Sequence, residues 1–386
     1  MSHFKFYSAH YREVEMSQPE QCWYIRTPIQ QGEIFSSWLI RSALDVGCSP
    51  MVLIEALWGK WRALTIDLDK GVDAERFDAL LSHSMESKQK IQQSMLSSVV
   101  SQIQPNYDSN QNIPWVLSLG TRNRSNTSGR QVCVECLKSH ENPPYLRLMW
   151  RIGWHCSCVE HQLSLIDHCP ECGVTIQPFK ADMEHGCLAI CTTCGFDLRR
   201  CEESKNINLN ALNFQNKAEQ VLKQKIGFYN QSPVTTQVWF EIARSWLSEI
   251  RFLVNTPNKN VIQLFESFDV NLHLSHPVTP LAFEYLSTQE RIVLLSMLDQ
   301  IMDIPCDLLV QRSKEYGVSR ANFWDKRKKL PVQLQQMKDL MIKPTRRYPV
   351  SRAAITVTKP KSKATVQRQW LNLLRRSNNS GAMHID

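Results

Sequence analysis

The chain has 386 residues, 42% of them hydrophobic, and a formal net charge of +8. That length supports two or three domains with sizeable cores, and no apolar run approaches the ~18 residues that a membrane span requires. The start Met-Ser-His-Phe-Lys-Phe-Tyr lacks the apolar stretch of a secretory signal, so the 13 cysteines are expected in a reducing compartment rather than in disulfides.

In chain order, the front is helical. Ile34, Phe35, Trp38, Leu39, Ser42 and Val46 recur every three to four residues, and Gly47 supplies a stop. Glu33 and Arg41, near opposite ends of that helix, are expected as solvated or pairing surface charges. A second helix is predicted from Pro50 through Trp61, with proline in its first turn and Val52, Leu53, Ala56 and Leu57 inward. Further helices are expected from Ala74 to His83 and from Met85 to Ile103. The polar stretch Arg122 to Arg130, rich in Asn, Ser, Thr and Gly, reads as a linker or loop.

Next come four ligand pairs: Cys133/Cys136, Cys158/His161, Cys169/Cys172 and Cys191/Cys194. Each pair encloses two residues, the gap that lets one tight turn aim two side chains at one ion. Random placement of the cysteines would give roughly half a CxxC in the whole chain, so three clustered here point to metal. Eight ligands suit two tetrahedral zinc ions. Sequential pairing closes each loop locally at lower entropic cost, giving one site from Cys133, Cys136, Cys158 and His161 and another from Cys169, Cys172, Cys191 and Cys194. Cys156, Cys187, Cys201, His155, His168 and His185 are spare; Cys156 replacing Cys158, or Cys187 replacing Cys191, stays open.

Thiolate-rich sets of four are closed, whereas a catalytic zinc keeps a position for water. The chain has no HExxH, GxxxxGK[ST] or GxSxG, and the proline of Cys169-Pro170 stands on the wrong side of its cysteine for a zinc deaminase. A non-enzyme with two structural zinc ions is therefore expected. A zinc-dependent nucleic-acid enzyme, the rival class, would need an unfilled coordination position beside a carboxylate.

Beyond Cys201, helical patterns run over Ala218 to Gly227, Val238 to Leu253 and Thr288 to Ile301. Leu308, Leu309 and Ser313 then precede Glu315-Tyr-Gly317-Val318-Ser319-Arg320-Ala-Asn322-Phe323-Trp324, which reads as helix, glycine turn and Ser-capped helix, the composition of a helix-turn-helix. Val318 and Phe323 would face the core, leaving Arg320, Asn322, Lys326, Arg327 and Lys328 for bases or phosphates. An ordinary helical pair and a protein-docking unit remain alternatives. From Leu340 to Ile385 there is no acidic residue and ten basic ones, Arg346, Arg347, Lys361 and Lys363 among them, as in tails that contact nucleic acid. Trp370, Leu373 and Leu374, spaced like a helix face, suggest one docking segment.

The segment Pro28-Ile-Gln-Gln-Gly32-Glu33-Ile34-Phe35-Ser36-Ser37-Trp38-Leu39-Ile40-Arg41 resembles the P…G-E-S-[LF]-x-S-W-[LF]-x-R opening of the TniQ family. Cys133-Val-Glu-Cys136, Trp150-Arg151, Trp154, Cys158-Val-Glu-His161, Leu165 and Cys169-Pro-Glu-Cys172-Gly173 are similar to that family's C-x-x-C…W…C-x-x-H…L…C-P-x-C-G core. One departure is Ile34, where the family has serine. The resemblance implies a target-selection subunit of a heteromeric transposon in the bacterial cytoplasm, at the nucleoid. It further implies an AAA+ ATPase transposition regulator (TnsC/TniB-like) as partner, with DNA or a CRISPR Cascade-type effector as the recognised target, and a homodimer.

The expected fold is mainly α in four parts: a helical N-terminal region (1–128), a tandem treble-clef or ribbon-like zinc module (129–205), a helical C-terminal domain (206–343) with a helix-turn-helix near 305–330, and a basic tail (344–386). The expected function is a target-selection adaptor; the alternative is an autonomous, TnsD-like DNA-binding selector.

Overall fold

The computed structural model describes residues 24–61, 66–109, 111–119, 129–138, 143–202, 207–270, 272, 281–323, 329–344, 362–363, 366–367 and 370. Contacts divide the chain into two units, Met1–Lys343 and Pro344–Asp386. The first is mainly helical.

Its opening helix, α1 (Phe35–Asp45), buries Phe35, Trp38, Leu39, Ile40 and Ala43, while Val46 lies past the helix end and is exposed. Ile34 has no oxygen with which to cap. Distant groups do that work: Asp69 Oδ1 accepts the Ser36 amide at 2.8 Å and the Ser94 carbonyl accepts the Phe35 amide at 2.9 Å. The helix thus survives the loss of the serine found in related openings. Glu33 and Arg41 correct the sequence expectation: both are buried, not on the surface. They are eight positions apart, about two helical turns, and the chain before α1 folds over them, with the Gln30 amide and the Pro28 carbonyl bonded to the pair.

Helix α2 (Pro50–Trp58) is capped by Ser49 and ends at Gly59. It crosses α1 at 102°, which rotates its buried face to Leu53, Ile54 and Leu57 and leaves Val52 and Ala56 outward. Helix α3 spans Ala74–Ser82. The single helix expected from Met85 to Ile103 is two, α4 (Lys88–Gln93) and α5 (Ser97–Ile103). Ser94 Oγ turns back onto the Ile91 carbonyl, and the Leu96 amide donates to the Asp69 carbonyl, so the backbone leaves the helix to serve α1.

The cysteine-rich segment holds the short α6 (Val134–Leu137) and a two-stranded hairpin, β1 (Ser157–Cys158) with β2 (Leu163–Ser164). After it come α7 (Leu209–Gln224), a second hairpin of β3 (Ile226–Tyr229) and β4 (Ser232–Thr235), and α8 (Thr236–Asn255). The sequence reading missed this hairpin and ran a helix to Gly227. Lys225 (φ 58°) stops α7, and Asn230 and Gln231 (φ 48° and 62°) make the two-residue turn that pairs such strands. Gly227 has no Cβ because the Trp239 ring occupies its place, 2.6 Å away. The remaining helices are α9 (Lys259–Glu266), α10 (Thr288–Met302), α11 (Cys306–Glu315) and α12 (Val332–Leu340).

Two hydrophobic cores result. The smaller joins Phe35, Trp38, Leu53, Leu57, Leu80 and Ile91. The larger runs from Ile34 through the cysteine-rich segment to Met341. Trp115 is its hub, with ring centroids 5.6, 6.2, 6.1 and 5.4 Å from Trp154, Phe214, Phe240 and Phe283. Among the described residues, no single helix is long and apolar enough to cross a membrane.

Candidate metal centres

Cys133 is the N-cap of α6 and Cys136 lies in its only turn. Opposite them, Cys158 sits in β1 and His161 in the turn to β2, where Gln162 takes a left-handed backbone (φ 54°). The four ligand atoms lie within 4.8 Å of one another. His161 Nδ1 is 3.6, 3.3 and 3.4 Å from the sulfurs of Cys133, Cys136 and Cys158, and the Cys136 and Cys158 sulfurs are 3.6 Å apart.

The second group is built from two copies of one turn. In each, the fifth residue's amide closes onto the first cysteine's carbonyl: Gly173 to Cys169 and Gly195 to Cys191, both at 2.9 Å. Each is flanked by an antiparallel bridge, His168 with Thr175 and Ile190 with Asp197. Glycine is needed at both closing positions, φ 67° and 74°. The turns face each other, with Cys169–Cys194 and Cys172–Cys191 sulfur distances of 3.8 Å.

These spacings fit zinc. A tetrahedral ion with Zn–S near ~2.3 Å and Zn–N near ~2.0 Å sets its sulfurs ~3.8 Å apart and its nitrogen ~3.5 Å from each sulfur, whereas a disulfide needs ~2.05 Å. Both groups are fit to hold a metal ion, in the sequential pairing. Charge also calls for a cation. Burial pushes the Cys169 thiol up to about 12, while the backbone amides of Cys194 and Thr193 outweigh burial at Cys191 and bring it down to about 7. In the first group the neighbouring thiols of Cys133 and Cys136 hold Cys158 far below the ordinary thiol value, and Cys136 is raised by Cys133 and Cys158. A dication would stabilise every sulfur as thiolate.

The spare side chains have other partners. Cys156 accepts from Arg291 Nη1 at 3.2 Å, His155 Nδ1 lies 2.6 Å from Glu219, His168 Nδ1 lies 2.8 Å from Asp167, and His185 Nδ1 accepts the Asp182 amide. Cys187 and Cys201 stand outside both groups.

The first group is braced from both sides. Arg151, in the chain between Cys136 and Cys158, is buried and donates to Asp67 at 2.6 and 3.0 Å, to Asp69 at 2.5 Å and to the Leu117 carbonyl. Asp69 also pairs with buried Arg130 at 3.0 Å, so the carboxylate that caps α1 is fixed by two arginines from the cysteine-rich side. Arg291 of α10 reaches the Gly153 carbonyl and Gln131 Oε1 at 2.7 and 2.9 Å. Sequence reasoning missed these arginines; Trp150-Arg151 next to the ligand pairs was the signal available.

Residues 24–165 match the TniQ family model. The chain carries a TniQ domain. That match takes in α1 to α5, the Glu33–Arg41 pair, the Asp67–Asp69–Arg151 network and all of the first ligand group, and it stops short of Cys169. The TniQ domain supports a general role in transposition target selection. No curated protein matches the chain.

Outside the TniQ domain lie the residues expected to touch nucleic acid. Helix α11 ends in a turn at Gly317 (φ 63°), with Val318 and Phe323 buried. Ser319 pairs with Ile342, and its amide and hydroxyl both donate to Asn322 Oδ1, at 2.8 and 2.9 Å. Ser319 therefore gives hydrogen bonds to Asn322 instead of capping from its oxygen, and the carboxamide oxygen of Asn322 is engaged within the protein. The Arg320 amide donates to the Ile342 carbonyl, and its side chain is half-buried. Residues 320–323 run as turn and bend; Lys326, Arg327 and Lys328 lie outside the described residues, as do Arg346, Arg347 and Lys361. In the second unit Lys363 is helical and exposed, and the Val366 amide donates to the Ser362 carbonyl.

Proposed function

We propose that this protein is an adaptor for transposon target selection. It couples a recognised target, which is DNA or an RNA-guided CRISPR effector complex, to an AAA+ ATPase transposition regulator. The observation that carries this reading is the TniQ domain itself, built around a closed set of four metal ligands. A sealed thiolate shell offers no position for a reacting water, so its work is to hold a recognition surface in shape. We assign two structural zinc ions, one to Cys133, Cys136, Cys158 and His161 and one to Cys169, Cys172, Cys191 and Cys194. Residues 129–205 then form the zinc module between the helical regions 1–128 and 206–343, and 344–386 is the basic tail. A homodimer fits the family.

A second reading, an autonomous DNA-binding selector, draws on the basic tail, whose one acidic residue is Asp386, and on the turn after α11. Reconstitution separates the two. The purified protein is mixed with the ATPase and labelled DNA, with and without the guide complex of the same transposon. The adaptor reading expects ATPase recruitment to depend on the protein together with one of those targets. Sequence-specific DNA binding by the protein alone would support the autonomous selector, and no ATPase association under any condition would overturn the adaptor.

A further inference from the structure

The corner between α1 and α2 leaves apolar side chains uncovered. Val46 follows α1, Met51 and Val52 open α2, and Met183 stands on the turn Met183–His185, inside the second ligand group's loop; each is more than half exposed. The Met183 methyl lies 3.9 Å from where a Cβ on Gly47 would be, so this loop reaches the corner. Isolated exposed apolar residues are ordinary on a protein surface. Four gathered where two elements meet, two of them flexible thioethers, have the composition of an adaptable docking surface.

Charge narrows the partner. Asp45 adjoins Val46, Glu55 follows Met51 by one helical turn, and Asp182 and Glu184 flank Met183; all four are exposed, against the exposed cations Arg26, Lys60 and Lys180. In a chain of net charge +8 this corner is acidic. The carboxylates repel phosphate backbones and so disfavour nucleic acid. An apolar stripe rimmed by lysine or arginine satisfies both the thioethers and the carboxylates. We propose that the α1–α2 corner, with Met183, docks a basic amphipathic helix of a partner protein. The inference stands apart from the target-selection reading and holds or fails without it.

The test titrates the full-length, zinc-loaded protein into a fluorescent Leu/Lys amphipathic peptide of about 20 residues, long enough to form a helix. Saturable binding is expected, weakened at least about ten-fold by Met51→Glu with Met183→Glu. Both positions face solvent, so thermal melting should not move. Glu55→Lys with Asp182→Lys should weaken binding and lower its salt dependence, and a Leu/Glu peptide should not bind. Binding unchanged in both variants, equal binding of the acidic peptide, or no saturable binding would overturn the proposal. So would loss of self-association in the Met51/Met183 variant, which would assign the corner to a second copy of this chain.

Discussion

Arg41 grips Glu33 with two parallel hydrogen bonds, Nε to Oε1 at 2.8 Å and Nη2 to Oε2 at 2.7 Å, inside the protein. The carboxylate also accepts from Ser37 Oγ and the Gln30 amide, and Arg41 reaches the Pro28 carbonyl. Each oxygen of the Glu33 carboxylate accepts two hydrogen bonds, the kind of satisfaction under which a buried ion pair is tolerated. Ser37 Oγ in turn accepts the Leu146 amide at 2.9 Å, linking α1 to the segment between Cys136 and Cys158 of the first ligand group. Arg41→Ala leaves Glu33 charged and unpaired in the interior. It should lower unfolding free energy by about 3–5 kcal/mol, read by urea denaturation, whereas Arg41→Met with Glu33→Leu should recover much of the loss. A single variant as stable as wild type would mean that water reaches this pair.

The two ligand groups differ in setting, so their variants should differ too. Cys136 packs against the large core, whereas Cys172 and Cys194 are exposed. Cys136→Ser should release one zinc equivalent and abolish cooperative melting of the first unit, because ligation and folding are linked there. Cys172→Ser should release one equivalent with a smaller drop in melting temperature. Metal analysis alongside calorimetry reads both, and two retained equivalents in either variant would remove the zinc assignment.

Sequence carried the ligand pairs, because a metal site is a local code: two residues between ligands, with a glycine after the pairs of the second group. It carried α1, α8 and α10 within a residue or two, because long apolar stripes have a clear period. It failed where distant groups decide. Asp69 caps a helix 33 positions away and splits the stretch after Met85, and the burial of Glu33 and Arg41 depends on a chain crossing that periodicity does not encode. The β3–β4 hairpin was hidden because Gly227 and Asn230-Gln231 interrupt a pattern that also fits a fraying helix.

Asp67 gives a pH dependence. Burial opposes its ionisation, but Arg151 outweighs burial and holds the carboxyl below its ordinary value. A depressed folded value means that its contribution is complete above the unfolded value of ~3.9 and is lost as pH falls through the folded value. Asp67→Asn should therefore cost about 1–3 kcal/mol at pH 7, and the gap from wild type should close as pH falls well below ~3.9. Zinc release in acid affects both proteins alike, so the difference between them isolates this carboxylate. A gap that stayed constant down to the lowest pH would assign the loss to packing.

The basic tail makes an electrostatic prediction that the zinc module does not. Arg346, Arg347, Lys361 and Lys363 belong to a stretch with no acidic residue to neutralise them, and that stretch falls in the second contact unit. If the tail contacts DNA, each phosphate it neutralises releases counterions, and log affinity falls with log salt at a slope of about −0.9 per contact. Replacing all four residues with glutamine should weaken binding at low salt and flatten that slope by up to about 3–4. Melting of the first unit should stay where it was, since the substitutions lie outside it. The same measurement on Arg320→Gln tests the turn after α11 independently: a sequence-reading contact would relax discrimination between sites, whereas a phosphate contact would change the slope by about one. An unaltered slope in the fourfold variant would give the tail a partner other than DNA, and the autonomous selector would lose its main support.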